Sequence, residues 1–495
     1  EILAKGYADR LVSRPIDLSA LPASQNDSVY LSFFYQVTGR GEAPDLDDNF
    51  ALWFKDVNGT WEKIFEVGNS VNLDPAIFYY QIVKVDSKFF HNHFQFKFQN
   101  FARLSGPYDT WNLDYIYLNK RRKPSDKYFL DQSLTSPLSS IFRQYTAIPI
   151  KHFKDTASTV IIRPKAGFYN LYRFDAQSFK YSTKARVFHK IGATTTNQTL
   201  IIEAEGDPKT ILPKFTHLEL ALNKTLPLNS LNLSADSIFI DFELGFDSGD
   251  KNIVPETPLF YPIDFTHNDT VHSEFILHKH YAYDDGTAEY GAGLNQPGAE
   301  MAYQFDMFTK APDTIVAVDL YFPQFGDNSS QSLILKFWAN NPDRPATEIY
   351  SETIIVQRTN ANQFTRYTLA EPVGVKDKFF VGWEQTGTVV VPVGLDKNSN
   401  SGDKMFSNIP GTWEQNQNVF GSLMIRPVFG RGKASVITDV PAEFSVQVFP
   451  NPNQGQFKIP TEARNISLVN LMGSEIEYES EVSFDSQTIA IKNPQ

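Results

Sequence analysis

The segment Phe94-Gln-Phe-Lys-Phe98 shows which class of fold this chain adopts. Its phenylalanines alternate with Gln95 and Lys97, so every second side chain is apolar. Side chains of a β-strand point alternately to opposite faces of a sheet, and this period of two indicates a strand with one face on a core. Similar runs, separated by turn residues, recur along the chain. The sequence therefore predicts an all-β protein.

Composition supports the same fold class over all 495 residues. Aromatic residues make up 14% of the chain, with 41 Phe and 22 Tyr against only 5 Met. Such side chains suit a pleated surface, and a chain of this length needs several cores. The strand spacing predicts tandem β-sandwiches. The predicted modules are a β-sandwich at 1–122, an immunoglobulin-like sandwich at 123–279, a jelly-roll-like sandwich at 280–431 and a small antiparallel module at 440–495. The resemblances described below imply a jelly-roll-like sandwich for 1–122 and a small β-sandwich for 440–495.

Individual strands are predicted from runs of β-branched and aromatic residues. Phe50-Ala-Leu-Trp-Phe54 is one in the first module, and Leu333-Ile-Leu-Lys-Phe-Trp338 is one in the third. In the second module, Thr159-Val-Ile-Ile-Arg163 and Ser237-Ile-Phe-Ile-Asp-Phe242 are also predicted to be strands.

Charge and cysteine content exclude several classes of function. The formal net charge is −12, whereas a nucleic-acid partner would require clustered Lys and Arg, so no nucleic acid is expected. The absence of Cys excludes disulfides, a thiol nucleophile and thiolate metal sites. No stretch approaches the ~20 apolar residues of a membrane helix, so the chain is not expected to span a membrane.

The segment Ser445-Val-Gln-Val-Phe-Pro-Asn-Pro-Asn-Gln-Gly-Gln-Phe-Lys-Ile459 indicates where the protein is sent. A short apolar run ends at Pro450-Asn-Pro452, where two prolines remove backbone donors and stop a strand. A turn at Gly455 and alternation through Phe457 and Ile459 follow, and a later apolar strand closes on Leu471-Met-Gly473. These features predict a small antiparallel meander.

This order of motifs resembles the type A C-terminal sorting domain of type IX secretion cargo. The resemblance covers roughly the last 50 residues. It implies a small β-sandwich that directs the chain through an outer-membrane translocon and is recognised by an outer-membrane shuttle protein. The implied location is secreted or on the extracellular face of the outer membrane. The residues that carry the implied sorting signal are Pro450, Asn451, Pro452, Gly455, Phe457 and Gly473.

Two expectations about the chain ends follow from this resemblance. Family members finish with a Gly-x-Tyr strand, whereas this chain ends at Asn493-Pro-Gln495, so we expect the sorting domain to be incomplete. An exported cargo also carries a signal peptide, and Glu1-Ile-Leu-Ala4 has no such character, so residues upstream are expected to be missing.

The first module resembles jelly rolls of the MAM and carbohydrate-binding type through Phe94–Asn100 and Trp111-Asn-Leu-Asp114. The resemblance implies that Asp114 helps to bind a structural calcium ion with oxygens from an early loop. The local candidates are Asp45, Asp47 and Asp48, because calcium prefers hard oxygen ligands. The alternative is that these are solvated loop aspartates and one aspartate that bonds backbone N–H groups. Tyr108 and Trp111 are further candidates for stacking on sugar rings, and the alternative is that both belong to the core.

A second candidate calcium loop lies in Asp396-Lys-Asn-Ser-Asn-Ser-Gly-Asp403. Asp396, Asn398 and Asn400 alternate as calcium ligands do, but Ser401 replaces the expected Gly and Ser407 replaces the bidentate Glu of an EF-hand. The alternative is an Asn-rich turn between strands.

Five Asp-Ser/Thr-apolar triplets resemble the O-glycosylation site of exported proteins in bacteria that use this secretion system. Strand entry also favours such triplets, so the pattern alone leaves both explanations open. The candidate acceptors are Ser28, Thr156, Ser237, Thr270 and Thr314.

No sequence motif for catalysis is present: the chain lacks a Gly-x-Ser-x-Gly elbow, a Walker A loop, a His-Glu-x-x-His helix and a dinucleotide fingerprint. We therefore expect a non-enzymatic, multi-domain surface or secreted protein that binds glycans or a surface partner through its sandwiches. One alternative is a structural subunit of an outer-membrane complex that keeps its sorting domain. Another is the accessory region of a hydrolase whose catalytic domain lies upstream.

Overall fold

A computed structural model describes most of the chain. The described residues are 4–68, 73–104, 109–175, 180–204, 211–247, 264–324, 330–341, 343–409, 411–432, 456–459, 466, 468, 476–482 and 487–492. In these ranges the chain is almost entirely β-structure in mainly antiparallel sheets, which confirms the predicted all-β class of tandem sandwiches. Within them no helix has the length and apolar character needed to cross a bilayer.

The first sandwich packs a four-stranded sheet against a three-stranded one. The sheets have the orders β1-β6-β3-β4 and β5-β2-β7. Their inner faces bury Phe33, Phe50, Phe54 and Phe98, and the rings of Phe33 and Phe98 lie 4.8 Å apart. The strands are β1 (Lys5–Val12), β2 (Tyr30–Val37), β3 (Asn49–Lys55), β4 (Trp61–Gly68), β5 (Tyr79–Lys84), β6 (Phe96–Arg103) and β7 (Trp111–Asn119).

The second sandwich contains the α-helix α1 (Ile150–Val160) in addition to its two sheets. The sheets have the orders β13-β10-β8 and β12-β11-β14-β15-β9, and β9 is parallel to β15. The strands are β8 (Gln132–Leu134), β9 (Ala147–Pro149), β10 (Lys165–Asn170), β11 (Lys180–Ile191), β12 (Thr194–Glu203), β13 (Thr216–Ala221), β14 (Ser237–Asp247) and β15 (Thr270–His278).

The strand predicted at Thr159-Val-Ile-Ile-Arg163 is wrong. Thr159 and Val160 form the last turn of α1, and the chain from Ile161 has no regular structure. Phe153, Ala157 and Val160 recur at helical spacing and are buried. Burial of this face outweighs the strand preference of the β-branched run.

The third sandwich has a six-stranded sheet of order β20-β19-β22-β17-β24-β25, with the sheets β21-β18-β27 and β16-β23-β26. Its strands are β16 (Tyr290–Ala292), β17 (Glu300–Asp306), β18 (Asp313–Leu320), β19 (Ser332–Asn340), β20 (Pro345–Ile355), β21 (Thr365–Val375), β22 (Lys378–Gln385), β23 (Val393–Asp396), β24 (Met405–Asn408), β25 (Trp413–Gln415), β26 (Ser422–Leu423) and β27 (Ile425–Phe429).

A three-stranded antiparallel sheet stands near the C-terminus. Its strands are β28 (Gln456–Ile459), β29 (Tyr478–Val482) and β30 (Gln487–Ile491), in the order β28-β30-β29. Phe457, Ile459 and Ile489 form its buried cluster.

The second and third sandwiches share one continuous buried core. The ring of Tyr145 lies 4.7 Å from Tyr281 and 4.5 Å from Tyr283, and Ala147 forms a β-bridge with Ala282. Residues on both sides of position 279, where a module boundary is predicted, therefore belong to the same core.

Candidate ligand-binding face of the first sandwich

The outward face of the β1-β6-β3-β4 sheet carries an unusual set of side chains. In β3, Phe50, Leu52 and Phe54 point into the core, so Trp53 and Lys55 point outward. We call this surface the aromatic face. Its defining residues are Tyr7, Arg10, Trp53, Lys55, Trp61, Lys63, Lys97 and Phe101.

Strand register brings these residues together from four separate parts of the chain. Val12 pairs with Lys97, Lys97 pairs with Trp53, and Trp53 pairs with Lys63, which makes one row across all four strands. In the next row Lys55 pairs with Trp61. Because directly paired residues share a face of the sheet, these side chains form one surface.

Aromatic rings run across the surface. The ring of Tyr7 lies 5.6 Å from Phe101 and 6.1 Å from Trp53, both in edge-to-face geometry. Tyr7 is 55% exposed, whereas Trp53 and Trp61 are partly buried. The rings thus form a firm platform that remains accessible to a ligand.

Lysine ammonium groups lie against the two tryptophans. Lys97 Nζ is 4.9 Å from the centre of the Trp53 ring and 5.1 Å from that of Trp61, and Lys63 Nζ is 5.2 Å from Trp53. Lys55 Nζ is 5.9 Å from Trp61. The negative face of an aromatic ring attracts a cation, so these contacts order the lysines without neutralising them.

Side-chain amides provide the other contacts of these lysines. Lys97 Nζ donates to Gln99 Oε1 at 2.9 Å and Lys55 Nζ donates to Gln95 Oε1 at 3.1 Å. Burial and the nearby Arg10 guanidinium lower the pKa of Lys97. The surface therefore combines aromatic rings, amides and positive charge.

At one end of the same sheet, Asp45, Asp47 and Asp48 lie together. Lys5 Nζ contacts all three, at 3.1 Å from both Asp45 and Asp48, and Arg103 makes a two-pronged contact with Asp45. Burial, together with Asp109, raises the pKa of Asp48. An ammonium group thus lies where the predicted calcium ion would bind.

Asp114 does not join this cluster. It pairs with Phe34 in β2, which places it on the outward face of the other sheet. A further carboxylate near the cluster, Asp109, was not predicted from the sequence. It is buried, and one of its oxygens accepts a hydrogen bond from the backbone N–H of Arg103. Its other oxygen has no hydrogen-bond partner.

In the second predicted calcium loop, each oxygen already has a protein donor. Asp396 accepts the N–H groups of Asp285 and Asn398 and the hydroxyl of Ser399. Burial and the nearby Asp285 raise the pKa of Asp396 to about 6. Asn398 Oδ1 accepts from Arg40, and Asn400 Oδ1 accepts two backbone N–H groups. The geometry is that of a structured turn.

Of the predicted sorting-signal residues, only Phe457 lies in the described chain, where it is buried in β28. The others fall outside the described residues: Pro450, Asn451, Pro452, Gly455 and Gly473.

The five candidate glycosylation acceptors occupy different environments. Ser237 and Thr270 begin β14 and β15, Thr314 is the second residue of β18, and Thr270 is exposed. Ser28 ends a short 3₁₀-helix. Thr156 lies inside α1 and donates its hydroxyl to the His152 carbonyl.

Trp111 is not an exposed stacking residue. Its ring packs on Phe50 in the core at 5.5 Å, nearly parallel. Tyr108 falls outside the described residues. The aromatic residues suited to stacking are on the sheet face instead.

A cleft of about 810 Å³ lies between the first and third sandwiches. Arg40, Tyr290, Lys397 and Phe420 contribute to its walls, and Arg40 donates to Asn398 across it. It is a concave surface, with fewer aromatic residues than the aromatic face.

Comparison with known proteins adds no functional assignment: no protein-family model matches the chain, and no curated protein is significantly similar to it.

Proposed function

We propose that this chain is a non-enzymatic, exported surface protein that binds polysaccharide through the aromatic face of its first sandwich. The observation that carries the proposal is the accessible strip formed by Tyr7, Trp53 and Trp61 on a rigid sheet. Aromatic rings have a negative face, against which the C–H groups of a sugar ring pack favourably. Beside the strip, the amide nitrogen of Gln99, whose oxygen accepts from Lys97, can donate to sugar hydroxyls.

Export is proposed from the C-terminal motifs. The described β28-β30-β29 sheet is compatible with a small sorting module, and the Pro450-Asn-Pro452 motif supplies the resemblance to type IX cargo. The proposed partners are the secretion translocon, the outer-membrane shuttle protein and a polysaccharide. If the mature protein instead retains residues 440–495 and co-purifies with an outer-membrane partner, the structural-subunit alternative is supported.

Calcium remains a proposal for the Asp45, Asp47 and Asp48 cluster. Their oxygens lie within 4.8 Å of one another, which suits a hard cation. Lys5 must leave these oxygens before an ion can bind them.

The binding proposal is tested by removing one ring. We expect Trp61→Ala to weaken binding by about tenfold to a polysaccharide that the unmodified chain binds. One stacked ring contributes on the order of 1 kcal/mol or more to such binding. Affinity electrophoresis over a panel of polysaccharides measures this effect. Phe420→Ala removes an exposed ring of the third sandwich and is the control. Equal binding by both variants and the unmodified chain would refute the assignment of this face.

A further inference from the structure

Three cations of the aromatic face have no carboxylate partner. Among the residues that the structure describes, Arg10, Lys55 and Lys97 form no ion pair, and the two lysines are held by amides and rings. Lys63 is the exception, because its Nζ lies 2.9 Å from Glu66. The centre of this surface therefore keeps uncompensated positive charge.

This charge stands out in an acidic chain with 57 Asp and Glu against 45 Lys and Arg. Several sheet cations of the second and third sandwiches are neutralised by carboxylates. Lys336 contacts three glutamates at 2.7–3.0 Å, and Arg366 makes a two-pronged contact with Asp319 at 2.7 Å. On the aromatic face, by contrast, glutamines stand beside the lysines.

The positions of these cations suit a ligand that carries acidic groups along its length. Arg10 pairs with Gln99 and Lys97 with Trp53, so the two cations lie on neighbouring strands one row apart. Trp53 and Trp61 are diagonal neighbours on β3 and β4, which separates them by roughly 7–8 Å. Rings and cations therefore alternate on a flat surface.

We propose that the ligand of the aromatic face is an anionic polysaccharide, whose sugar rings lie on Tyr7, Trp53 and Trp61 and whose acidic groups bind Arg10, Lys55 and Lys97. The inference rests on the proposed function and narrows its ligand class. A cation–π contact at an exposed site is worth only about 0.5–1 kcal/mol, so a flexible lysine leaves the ring at low cost when an acidic group arrives. Arg10 offers the planar donor set that binds carboxylate or sulfate.

The test compares polysaccharides that differ in charge. The probes are a polyuronate, a sulfated dextran and neutral dextran, each titrated into the full chain at low and high salt. We expect the anionic probes to bind more tightly than neutral dextran and to weaken as salt rises, because exposed charges are screened. The difference between polyuronate and sulfated dextran identifies the acidic group.

Two variants that each remove one positive charge test whether the lysines of the aromatic face bind the acidic groups. We expect Lys97→Gln and Lys55→Gln each to weaken binding of the anionic probe by about tenfold, since each variant loses one charge-assisted contact while the neighbouring glutamines remain. Lys310→Gln is the control, because Lys310 is exposed in the third sandwich and pairs with Asp377 at 3.2 Å. Unchanged melting temperatures show that the variants fold.

The outcomes separate the two proposals. If neutral dextran binds as tightly as the anionic probes and both glutamine variants bind normally, the charge inference fails while polysaccharide binding stands. If no polysaccharide binds, the proposed function fails. If an oligonucleotide or anionic lipid vesicles of similar charge bind the same face more tightly than any polysaccharide, the ligand class is wrong.

Discussion

His280 lies at the junction of the second and third sandwiches, where it forms a β-bridge with Val428. It is 8% exposed, and neither ring nitrogen has a hydrogen-bond partner. Burial and the nearby Arg426, His278 and Arg366 lower its pKa to about 3. The folded protein therefore binds fewer protons at this residue than the unfolded chain between pH 3 and the ordinary value of 6.5. The protein loses stability as pH falls through this window.

We predict that His280→Phe flattens this acid dependence. With a folded pKa of about 3 and an unfolded value of 6.5, the histidine lowers the free energy of unfolding by about 2 kcal/mol between pH 8 and pH 5. Urea unfolding at the two pH values measures the loss. The variant should lose less stability than the unmodified chain, while the exposed control His93→Phe should not differ from it. An unchanged acid dependence in His280→Phe would contradict the buried neutral state.

The Lys5 contacts allow a separate prediction about calcium. Because the ammonium and a calcium ion compete for the oxygens of Asp45, Asp47 and Asp48, Lys5→Met should bind calcium more tightly than the unmodified chain. The expected readout is a larger calcium-induced rise in melting temperature. Lys88→Met, which removes an exposed contact to Glu62, is the control. No calcium response in either chain would exclude this cluster as a calcium site.

At the scale of single elements, α1 is fixed to the third sandwich by a polar contact. His152 Nε2 lies 2.8 Å from Asp313 Oδ2, and Lys151 Nζ lies 3.1 Å from the same atom. Burial alone would raise the pKa of Asp313, but the bonds from His152, the Thr314 N–H and Lys151 hold it below the ordinary value of 3.8. This carboxylate therefore stabilises the fold above about pH 4, and the contribution is lost as pH falls through its folded pKa.

We predict that Asp313→Asn lowers the free energy of unfolding at pH 7 by about 1–3 kcal/mol, because a charge-assisted bond to a buried histidine is lost. The difference from the unmodified chain should shrink as pH falls below 4, because Asp313 then takes up a proton more readily in the unfolded chain than in the folded protein. Chemical unfolding at pH 7 and pH 3 measures both quantities. Asp377→Asn, an exposed position paired with Lys310, should have little effect. If the free energies of unfolding of the variant and the unmodified chain differ by the same amount at pH 7 and pH 3, the ionised carboxylate of Asp313 does not stabilise the fold.

Some elements were predictable from the sequence because their signal is local. The alternation in Phe94–Phe98 overlaps the start of β6, and the apolar run Phe50–Phe54 lies inside β3, since both signals depend only on neighbouring residues. The same local reasoning placed a strand over Thr159–Arg163 where α1 ends, because the packing of Phe153 and Ala157 is not visible in β-branched content.

The aromatic face could not be predicted, because it depends on strand register. Tyr7, Trp53, Trp61 and Lys97 are far apart in the sequence and meet only when β1, β6, β3 and β4 pair in that order. For Trp111 the sequence leaves stacking and core packing both open, because the identity of a residue does not determine its exposure, and the structure places the ring in the core. The aspartate cluster was predicted because Asp45, Asp47 and Asp48 are close in the chain.

In the whole molecule, the aromatic face lies away from the contacts that join the three sandwiches. The second and third share a core. The first meets the second where Phe34, on the outward face of its β5-β2-β7 sheet, packs with Phe129 and Leu171 of the second. The opposite sheet of the first sandwich carries the aromatic face. That arrangement leaves the aromatic face on the side of the first sandwich opposite its junction with the second.

The most direct measurement is a crystal structure of the chain with a bound acidic oligosaccharide. We expect sugar rings against Tyr7, Trp53 and Trp61, with acidic groups within hydrogen-bonding distance of Lys97 and Lys55. An oligosaccharide seated in the cleft near Lys397 and Phe420, with the aromatic face bare, would contradict it.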